Sequence, residues 1–222
     1  MKTAVIIPAA GDGSRMGQPK QLLPINGVPM LVRTISAFET HTDIDEILIA
    51  TSDAIKSELL GYKFTKIRAI MQGGADRQSS VRIALNYLSP EVKVVLVHDG
   101  ARPLVSAKAI SNVLELAKKG KSVISGVKSV DTVKIAENSD KIAQTPDRAK
   151  TWLAHTPQGF PADIIKKAHE QAYETGFTGT DCAMLVERLG IPVYMVEGDH
   201  FNIKITVPSD IDIADALQKV IK

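Results

Sequence analysis

The sequence predicts an α/β protein of the Rossmann-like kind, with a mostly parallel sheet, helices on both faces and a projecting β-arm. Short β-branched runs alternate with amphipathic helical patterns along most of the chain, which is the rhythm of βαβ units. The run from Lys93 to Val97 is almost wholly Val and Leu, which is typical of a strand buried on both faces. Residues 131–157 break the rhythm, and this indicates an element that projects from the sheet.

The individual elements follow from these patterns in chain order. We predict strands at residues 3–7, 44–50, 67–71, 93–97, 122–127 and 192–196. We predict helices that begin at Pro29 and at Asp76, and helices over residues 53–60, 105–119, 162–174, 181–189 and 209–221. The loops after residues 7 and 97 then lie at the carboxyl ends of the strands, where ligands bind in such sheets.

The predicted arm contains two short β-like pieces, at residues 132–136 and 142–145, separated by a polar turn. A hairpin explains this pattern, and a hairpin of that size cannot bury a core of its own. The sequence contains no interdomain linker. We therefore predict one domain over residues 1–222, from which residues 131–157 project as the arm.

The composition is that of an ordinary soluble globular protein. Of the 222 residues, 44% are hydrophobic and 23% are charged, and the formal net charge is only +2. So weak an excess does not indicate a nucleic-acid partner. The apolar run that ends at Pro8 is too short for a signal peptide or a membrane span, and a single cysteine, Cys182, excludes an internal disulfide. We expect a cytoplasmic protein with no membrane partner and a buried Cys182.

The loop PAAGDGSRMGQPKQ, residues 8–21, combines small residues with fixed positive charge. Backbone N–H groups can approach an anion closely at four small residues, Ala9, Ala10, Gly11 and Gly13. Arg15 and Lys20 add the positive charge that a triphosphate needs. The loop lacks the Gly-Lys-Ser/Thr ending of a Walker A loop, and its glycine spacing is not that of a dinucleotide fingerprint. A flexible glycine turn with solvated basic residues is the alternative, but the combination after a buried strand favours phosphate binding.

A second candidate site is VHDGARP, residues 97–103. Asp99 follows the buried strand, where it could hold a divalent cation or a substrate hydroxyl. Arg102 could clamp a phosphate. The alternatives are a capping or turn role for Asp99 and a surface ion pair for Arg102. We expect His98 to be a structural residue.

Two further segments are ambiguous from spacing alone. In GGADRQSSVR, residues 73–82, two glycines allow a flat base to lie against the backbone, and Ser80 could hydrogen bond to that base. A tight turn capped by Asp76 explains the same residues. In NIKITVPSDID, residues 202–212, Lys204 lies inside a β-branched run, and the spacing favours a solvated side chain over one in a cleft.

Seven motifs together resemble those of the 2-C-methyl-D-erythritol 4-phosphate cytidylyltransferase family, in the same order from Pro8 to Asp210. They are PAAGDGSRMGQPKQ, GGADRQSSV, VHDGARP, VDTVK, DRAKTWLAHTPQGF, TGTD and NIKITVPSD. The resemblance implies a nucleotidyltransferase fold with CTP, Mg²⁺ and methylerythritol phosphate as ligands. It also implies a homodimer in which the arm of one subunit reaches the active site of the other.

The resemblance further implies a role for each matching residue. Arg15 and Lys20 would stabilise charge at the α-phosphate, and Lys204 and Arg148 of the partner subunit would position the attacking phosphate. The substrate pocket would be lined by Asp99, Arg102, Thr156 and Thr180, and Thr132 on the arm would also contact the substrate. Asp99 also remains the metal candidate that its place after the strand indicates. The nucleotide would be held by Ala9, Ala10, Gly11, Gly13, Lys20, Gly74 and Ser80.

Three other functions fit part of the same sequence. Ribitol 5-phosphate cytidylyltransferases resemble the chain along much of its length. The segment RMGQPKQLLPINGVPML, residues 15–31, is also similar to molybdopterin cytidylyltransferases, although HDGARP and NIKIT disfavour that function. A nucleotide-binding sensor without turnover is disfavoured because Arg15, Lys20, Arg148 and Lys204 occur together.

Overall fold

A computed structural model of the protein describes residues 1–11, 19–137 and 140–221. The strands of this part are β1 (Lys2–Pro8), β2 (Pro24–Ile25), β3 (Val28–Pro29), β4 (Glu46–Thr51), β5 (Ile67–Gln72), β6 (Val92–Val97), β7 (Ser122–Lys128), β8 (Ile135–Ala136), β9 (Ile142–Gln144), β10 (Trp152–Pro161) and β11 (Val193–Glu197). The helices are α1 (Met30–Glu39), α2 (Asp53–Leu59), α3 (Arg77–Leu85), α4 (Ala107–Ala117), α5 (Ala162–Glu174), α6 (Cys182–Arg188) and α7 (Ser209–Val220). Every predicted helix and strand is found, with bounds that differ by a few residues at most.

Seven strands form the central sheet, in the order β11-β7-β10-β6-β1-β4-β5. All neighbouring strands are parallel except β10, which runs antiparallel to both β6 and β7. The sheet is therefore mostly parallel, as predicted. Because Ile6 of β1 lies opposite Val97 of β6, the loops after these two strands leave the sheet side by side at its carboxyl edge.

Helices cover both faces of this sheet, and the alternation of side chains along β1 shows how. Ala4 and Ile6 belong to a core cluster that contains α3, α5 and α6. Val5 and Ile7 belong to a cluster on the opposite face, with α1, α2 and α4. A strand buried on both faces must be apolar at every position, which is why the central strands read as continuous hydrophobic runs.

A third, smaller cluster fixes the C-terminal segment beside the carboxyl edge of the sheet. It contains Ile205 and Ala214 from that segment together with Ala101 and Leu104 from the loop after β6. The backbone N–H of Ile205 donates to the carbonyl of Ala101 at 2.9 Å. This packing places residue 204 next to the end of β6.

Three helices, α3, α4 and α6, begin with a side-chain cap. The carboxylate of Asp76 accepts a hydrogen bond from the backbone N–H of Ser79 at 2.6 Å, and Ser106 and Asp181 cap α4 and α6 in the same way. The cap at Ser106 explains why α4 begins two residues after the predicted start. None of the helices that the structure describes is long and apolar enough to span a membrane.

The arm differs from the prediction at its C-terminal end. Strands β8 and β9 pair with each other in a small antiparallel hairpin, and nearly all described residues from 131 to 150 are exposed. However, residues 152–157, predicted as arm, are the first half of β10 in the central sheet. The predicted boundary at residue 157 was wrong because the first half of β10 is partly exposed and only its second half is buried, so its first residues resemble a continuation of the exposed arm.

A buried carboxylate at the start of β4 makes one part of the fold sensitive to pH. Burial alone would raise the pKa of Glu46, but hydrogen bonds from Ser89 and the nearby Lys2 outweigh it and lower the pKa below its ordinary value of 4.5. A group whose pKa is lowered on folding contributes stability above that ordinary value and loses it as the pH falls through the folded-state pKa.

We therefore expect Glu46→Gln to lower the free energy of unfolding at pH 7, and we expect the difference from wild type to shrink steadily below pH 4.5. Urea denaturation across this pH range measures both quantities. Glu91→Gln is the matched control, because Glu91 lies 3.9 Å from the same Lys2 but its side chain is 70% exposed. A difference that does not depend on pH would contradict the assignment to Glu46.

Candidate functional site

Two neighbouring clefts open at the carboxyl edge of the sheet. The first, of about 360 Å³, is formed by the loops after β1, β5 and β6, and the second, of about 230 Å³, lies between the loop after β6, the first half of β10 and the start of α6. Three residues line both clefts: Arg77, Asp99 and Lys204. The two clefts therefore meet at this group of charged side chains.

Asp99 is the centre of that group. Its Oδ1 lies 2.7 Å from Nε of Arg77, and its Oδ2 lies 2.8 Å from Nζ of Lys204 and 4.0 Å from Nε of Arg102. Burial opposes ionisation, but Arg77 and Lys204 hold the pKa of Asp99 far below its ordinary value. One carboxylate thus faces three cations, and the positive excess of this junction attracts anions such as phosphates.

Buried hydrogen bonds that involve His98 and Thr156 hold the backbone at Asp99 in place. Burial lowers the pKa of His98 to about 4, so its imidazole is neutral, and its Nε2 donates to the carbonyl of Arg102 at 3.0 Å. The other ring nitrogen, Nδ1, must then accept from the hydroxyl of Thr156 at 3.1 Å. The same hydroxyl accepts from the backbone N–H of Asp99 at 3.1 Å. His98 is therefore structural, as expected.

Arg102 is a cleft residue, and within the described part of the chain it takes part in no surface ion pair. Only 8% of the residue is exposed, and its Nη1 donates to the carbonyl of Asn202 at 2.7 Å. The side-chain amide of Asn202 in turn donates to the carbonyl of Thr156 at 2.7 Å. The segment before α7 is thus tied to the wall of the second cleft.

The expectation that Lys204 is solvated was wrong. Residues 202–206 form no strand, and the buried side chains of Asn202 and Ile205 anchor the segment on either side of Lys204. Although the Lys204 side chain is 42% exposed, its ammonium group turns into the cleft and contacts Asp99. Spacing could not show this, because the direction of Lys204 is set by contacts with the distant loop after β6.

The described part of the glycine-rich loop borders the first cleft. Ala9, Ala10, Gly11 and Lys20 line it, and Nζ of Lys20 donates to the carbonyl of Ile205 at 3.0 Å. The side chain of Gln21 donates to the carbonyls of Ala9 at 2.8 Å and Gly11 at 2.6 Å, which fixes the loop backbone. The predicted site residues Gly13 and Arg15 lie outside the described residues.

The turn after β5 forms the opposite wall of the first cleft. A Cβ atom on Gly73 would stand 2.2 Å from Cβ of Ala10, so glycine is needed for the close approach of the two loops. The hydroxyl of Ser80 accepts from the backbone N–H of Gly74 at 3.1 Å and donates to the carbonyl of Asp76 at 2.8 Å. Asp76 does cap α3, while contact of Gly74 and Ser80 with a base stays a prediction.

The remaining predicted site residues fall into two groups. Thr156 and Thr180 line the second cleft. Thr132 and Arg148 are exposed on the arm, and neither lines the clefts that the described residues of this chain form. Arg148 donates to the carbonyl of Val130 at 3.2 Å. The chain by itself therefore does not bring Arg148 to Lys204.

Sequence reasoning missed several residues of the site, among them Arg77, Gln158 and Asp181. Arg77 is the partner of Asp99 on the side of α3. Gln158 and Asp181, whose side chains lie 2.7 Å apart, line the second cleft. The signal for Arg77 was its place directly after the turn that follows β5, at the same sheet edge as Asp99. No local pattern indicated Gln158, because the direction of β10 is not visible in the sequence.

The site does not fit a metal ion held by protein side chains. Residues 1–11, 19–137 and 140–221 contain no group of three or more His, Cys, Asp or Glu side chains that could hold one. Both oxygens of Asp99 face cations, which would repel a divalent metal. Direct metal ligation by Asp99 stays a prediction that its surroundings disfavour.

A mostly parallel sheet with a glycine-rich loop and an electropositive cleft at its carboxyl edge defines a protein of the nucleotidyltransferase class. Comparison with known families makes the assignment narrower. Residues 3–219 match the model of the 2-C-methyl-D-erythritol 4-phosphate cytidylyltransferases, and the chain belongs to this family.

Individual relatives agree with the family assignment. The chain is 42% identical over 225 residues to a protein of that name from Syntrophus aciditrophicus, with 98% of this chain and 96% of the relative covered. A crystal structure of a 4-diphosphocytidyl-2C-methyl-D-erythritol synthase from Anaerococcus prevotii has a TM-score of 0.87 and 32% identity, covering 98% and 96% of the two chains. A 2-C-methyl-D-erythritol 4-phosphate cytidylyltransferase from Thermus thermophilus has a TM-score of 0.81 and 34% identity, covering 99% and 100%.

The hydroxyl of Thr156 links His98 to Asp99, and its contribution to the stability of the protein can be measured. We expect Thr156→Val to lower the free energy of unfolding by about 1–3 kcal/mol, because it leaves two buried polar groups without a partner. Urea denaturation measures the loss. Thr156→Ser keeps the hydroxyl and is the control, for which we expect a smaller loss. A Thr156→Val protein as stable as wild type would contradict this account of the hydrogen bonds.

Proposed function

We propose that the protein transfers the cytidylyl group of CTP to 2-C-methyl-D-erythritol 4-phosphate and releases pyrophosphate, a step in the formation of isoprenoid precursors. The observation that carries the proposal is the excess of positive charge where the two clefts meet. A reaction between two phosphate anions needs such a junction, because the protein must hold the two anions close together despite their mutual repulsion. Family membership supplies the identity of the two substrates.

The first cleft is assigned to CTP. The triphosphate is assigned to Ala9, Ala10, Gly11 and Gly13, where the small side chains allow it to approach the backbone N–H groups closely. The base is assigned to the turn that contains Gly74 and Ser80. Lys20 and Arg15 stabilise the charge that develops at the α-phosphate. This assignment rests on the lining of the cleft for the described residues and on the sequence for Gly13 and Arg15.

The second cleft is assigned to the polyol phosphate. Arg102 and Lys204 offer donors to its phosphate, while Thr156 and Thr180 line the space beside it. The carboxylate of Asp99, kept ionised by its neighbours, accepts from a polyol hydroxyl. We prefer this role for Asp99 to that of a metal ligand.

The reaction then needs no covalent enzyme intermediate. A phosphate oxygen of the polyol phosphate attacks the α-phosphorus of CTP in line with the bond to pyrophosphate, which breaks as the new bond forms. The nucleophile is already an anion, so no side chain has to remove a proton from it. Catalysis consists of holding the two anions in line and stabilising the charge of the transition state.

Mg²⁺ belongs to this proposal as a companion of the triphosphate of CTP. The described residues supply no ligand cluster for it, so no step is assigned to a metal held by the protein. We also place the protein in the cytoplasm, with neither a nucleic acid nor a membrane as its partner. The single cysteine, Cys182, is buried and free, in agreement with a reducing compartment.

We further propose one catalytic domain over residues 1–222 that acts as a homodimer through its arm. Several apolar side chains of the arm and its base are exposed, namely Val130, Ile135, Ile142 and Leu153. A hairpin of this size is only marginally stable unless another part of the protein or a second subunit packs against it. In the dimer, Thr132 and Arg148 of the partner subunit complete the second cleft.

A panel of polyol phosphates tests the substrate. With CTP and Mg²⁺, we expect pyrophosphate release to be fast with 2-C-methyl-D-erythritol 4-phosphate and far slower with ribitol 5-phosphate, since both the family model and the relatives carry the former substrate in their names. Reactions without a polyol phosphate are the control. Equal or faster turnover of ribitol 5-phosphate would overturn the substrate assignment and leave the reaction class standing.

Mixed dimers test whether Arg148 acts in the neighbouring site. Lys20→Ala and Arg148→Ala subunits are each expected to be nearly inactive alone. A mixed dimer has one site with both defects and one with neither, so activity should recover to about half of the wild-type value per mixed dimer.

The control mixture combines Lys20→Ala with Lys204→Ala. Both of these residues line the first cleft of the same chain, so each site of the mixed dimer carries one defect and no recovery is expected. Subunit exchange is verified with differently tagged chains. Exchange without recovery in the Arg148 mixture would show that Arg148 does not serve the partner's site.

A further inference from the structure

Arg77 is the part of the charged junction to which no role has yet been given. It is the first residue of α3, which begins directly after the turn that follows β5. Its Nε donates to Oδ1 of Asp99 at 2.7 Å, and its Nη1 lies 3.5 Å from Sγ of Cys182 at the start of α6. The guanidinium group therefore spans the space between Asp99 and α6.

Arg102 approaches the same carboxylate from the other side but does not bond to it. Its Nε lies 4.0 Å from Oδ2 of Asp99, which is too long for a hydrogen bond, and this buried atom has no other partner among the described residues. A buried donor without a partner is costly. Lys204 holds Oδ2 of Asp99 at 2.8 Å and Arg77 holds Oδ1 at 2.7 Å, so Oδ1, once released by Arg77, would be free to turn toward Arg102.

We propose that Arg77 is a positioning residue that holds Asp99 away from Arg102, so that Nε of Arg102 remains available to the phosphate of the polyol substrate. This inference rests on the proposed function, because it assumes that the second cleft binds a phosphate. Arg77 holds the carboxylate, Cys182 on α6 limits where the guanidinium can lie, and Arg102 keeps a donor that the substrate can use.

The pKa shifts of Arg77 and Arg102 agree with their different distances from Asp99. Burial lowers the pKa of Arg102, and Asp99 does not restore it. Burial would also lower the pKa of Arg77, but its neighbours, of which Asp99 at 2.7 Å carries the negative charge, outweigh burial and raise its pKa. Asp99 is thus bound more closely to Arg77 than to Arg102, in keeping with the two distances.

The first test is a crystal structure of Arg77→Gln without substrate. We expect the carboxylate of Asp99 to turn until it lies within about 3.2 Å of Nε of Arg102. Arg82→Gln is the matched control, because it removes the same charge from the same helix and leaves both clefts intact. An unmoved Asp99 in Arg77→Gln would overturn the proposal, whatever substrate the protein uses.

The second test asks whether Arg77 acts through Asp99. We expect Arg77→Gln to raise KM for the polyol phosphate about tenfold or more, the loss expected when one hydrogen bond to a charged group is removed. In an Asp99→Asn protein no carboxylate can capture Arg102, so adding Arg77→Gln should change KM by less than about twofold. Arg82→Gln should leave KM within about twofold of wild type.

The outcomes separate this inference from the proposed function. A tenfold effect of Arg77→Gln in both backgrounds, or no effect in the wild-type background, would show that Arg77 does not act by holding Asp99. If the wild-type protein turned over no polyol phosphate, the proposed function would fail, and the crystal structure of Arg77→Gln would still decide whether Arg77 positions Asp99.

Discussion

Asp99, a residue only 7% exposed in the loop after β6, has a carboxylate that lies within 4.0 Å of three cations from separate parts of the chain. Arg77 comes from the start of α3, Arg102 from the loop after β6, and Lys204 from the segment before α7. Removing one member of a buried ion pair generally costs about 3–5 kcal/mol, because the remaining charge keeps its desolvation penalty. The walls of both clefts therefore depend on this carboxylate being present and ionised.

An electropositive junction of this kind is unfavourable for the folded protein taken alone. Three cations held near one carboxylate repel one another, and burial removes part of their hydration. The buried network of His98, Thr156 and Asn202 holds the surrounding backbone in place despite this repulsion. In the proposed reaction, the phosphates of both substrates supply the missing negative charge. Binding of the two anions therefore relieves the repulsion among the three cations.

The antiparallel strand β10 connects the arm with this junction. Because β10 runs against β6 and β7, its first half lies at the carboxyl edge of the sheet, where Ala154, His155 and Thr156 line the second cleft. The arm immediately precedes β10, so it leaves the sheet at the same edge. In the proposed dimer, this direction would bring the arm toward the partner's second cleft, which a parallel strand at the same place in the sheet would not do.

The sequence by itself determined the alternation of strands and helices, since each element carries its own periodicity, and α5 at residues 162–174 matches its pattern to the residue. It also placed the loops after β1 and β6 at the ligand-binding edge, because parallel strands end there. Tertiary structure alone decided the direction of β10, the turn of Lys204 into the cleft and the pairing of Arg77 with Asp99. Asp99 meets a partner 22 residues before it and another 105 residues after it. Local patterns cannot encode such meetings, because they follow from how the sheet and its third core cluster pack.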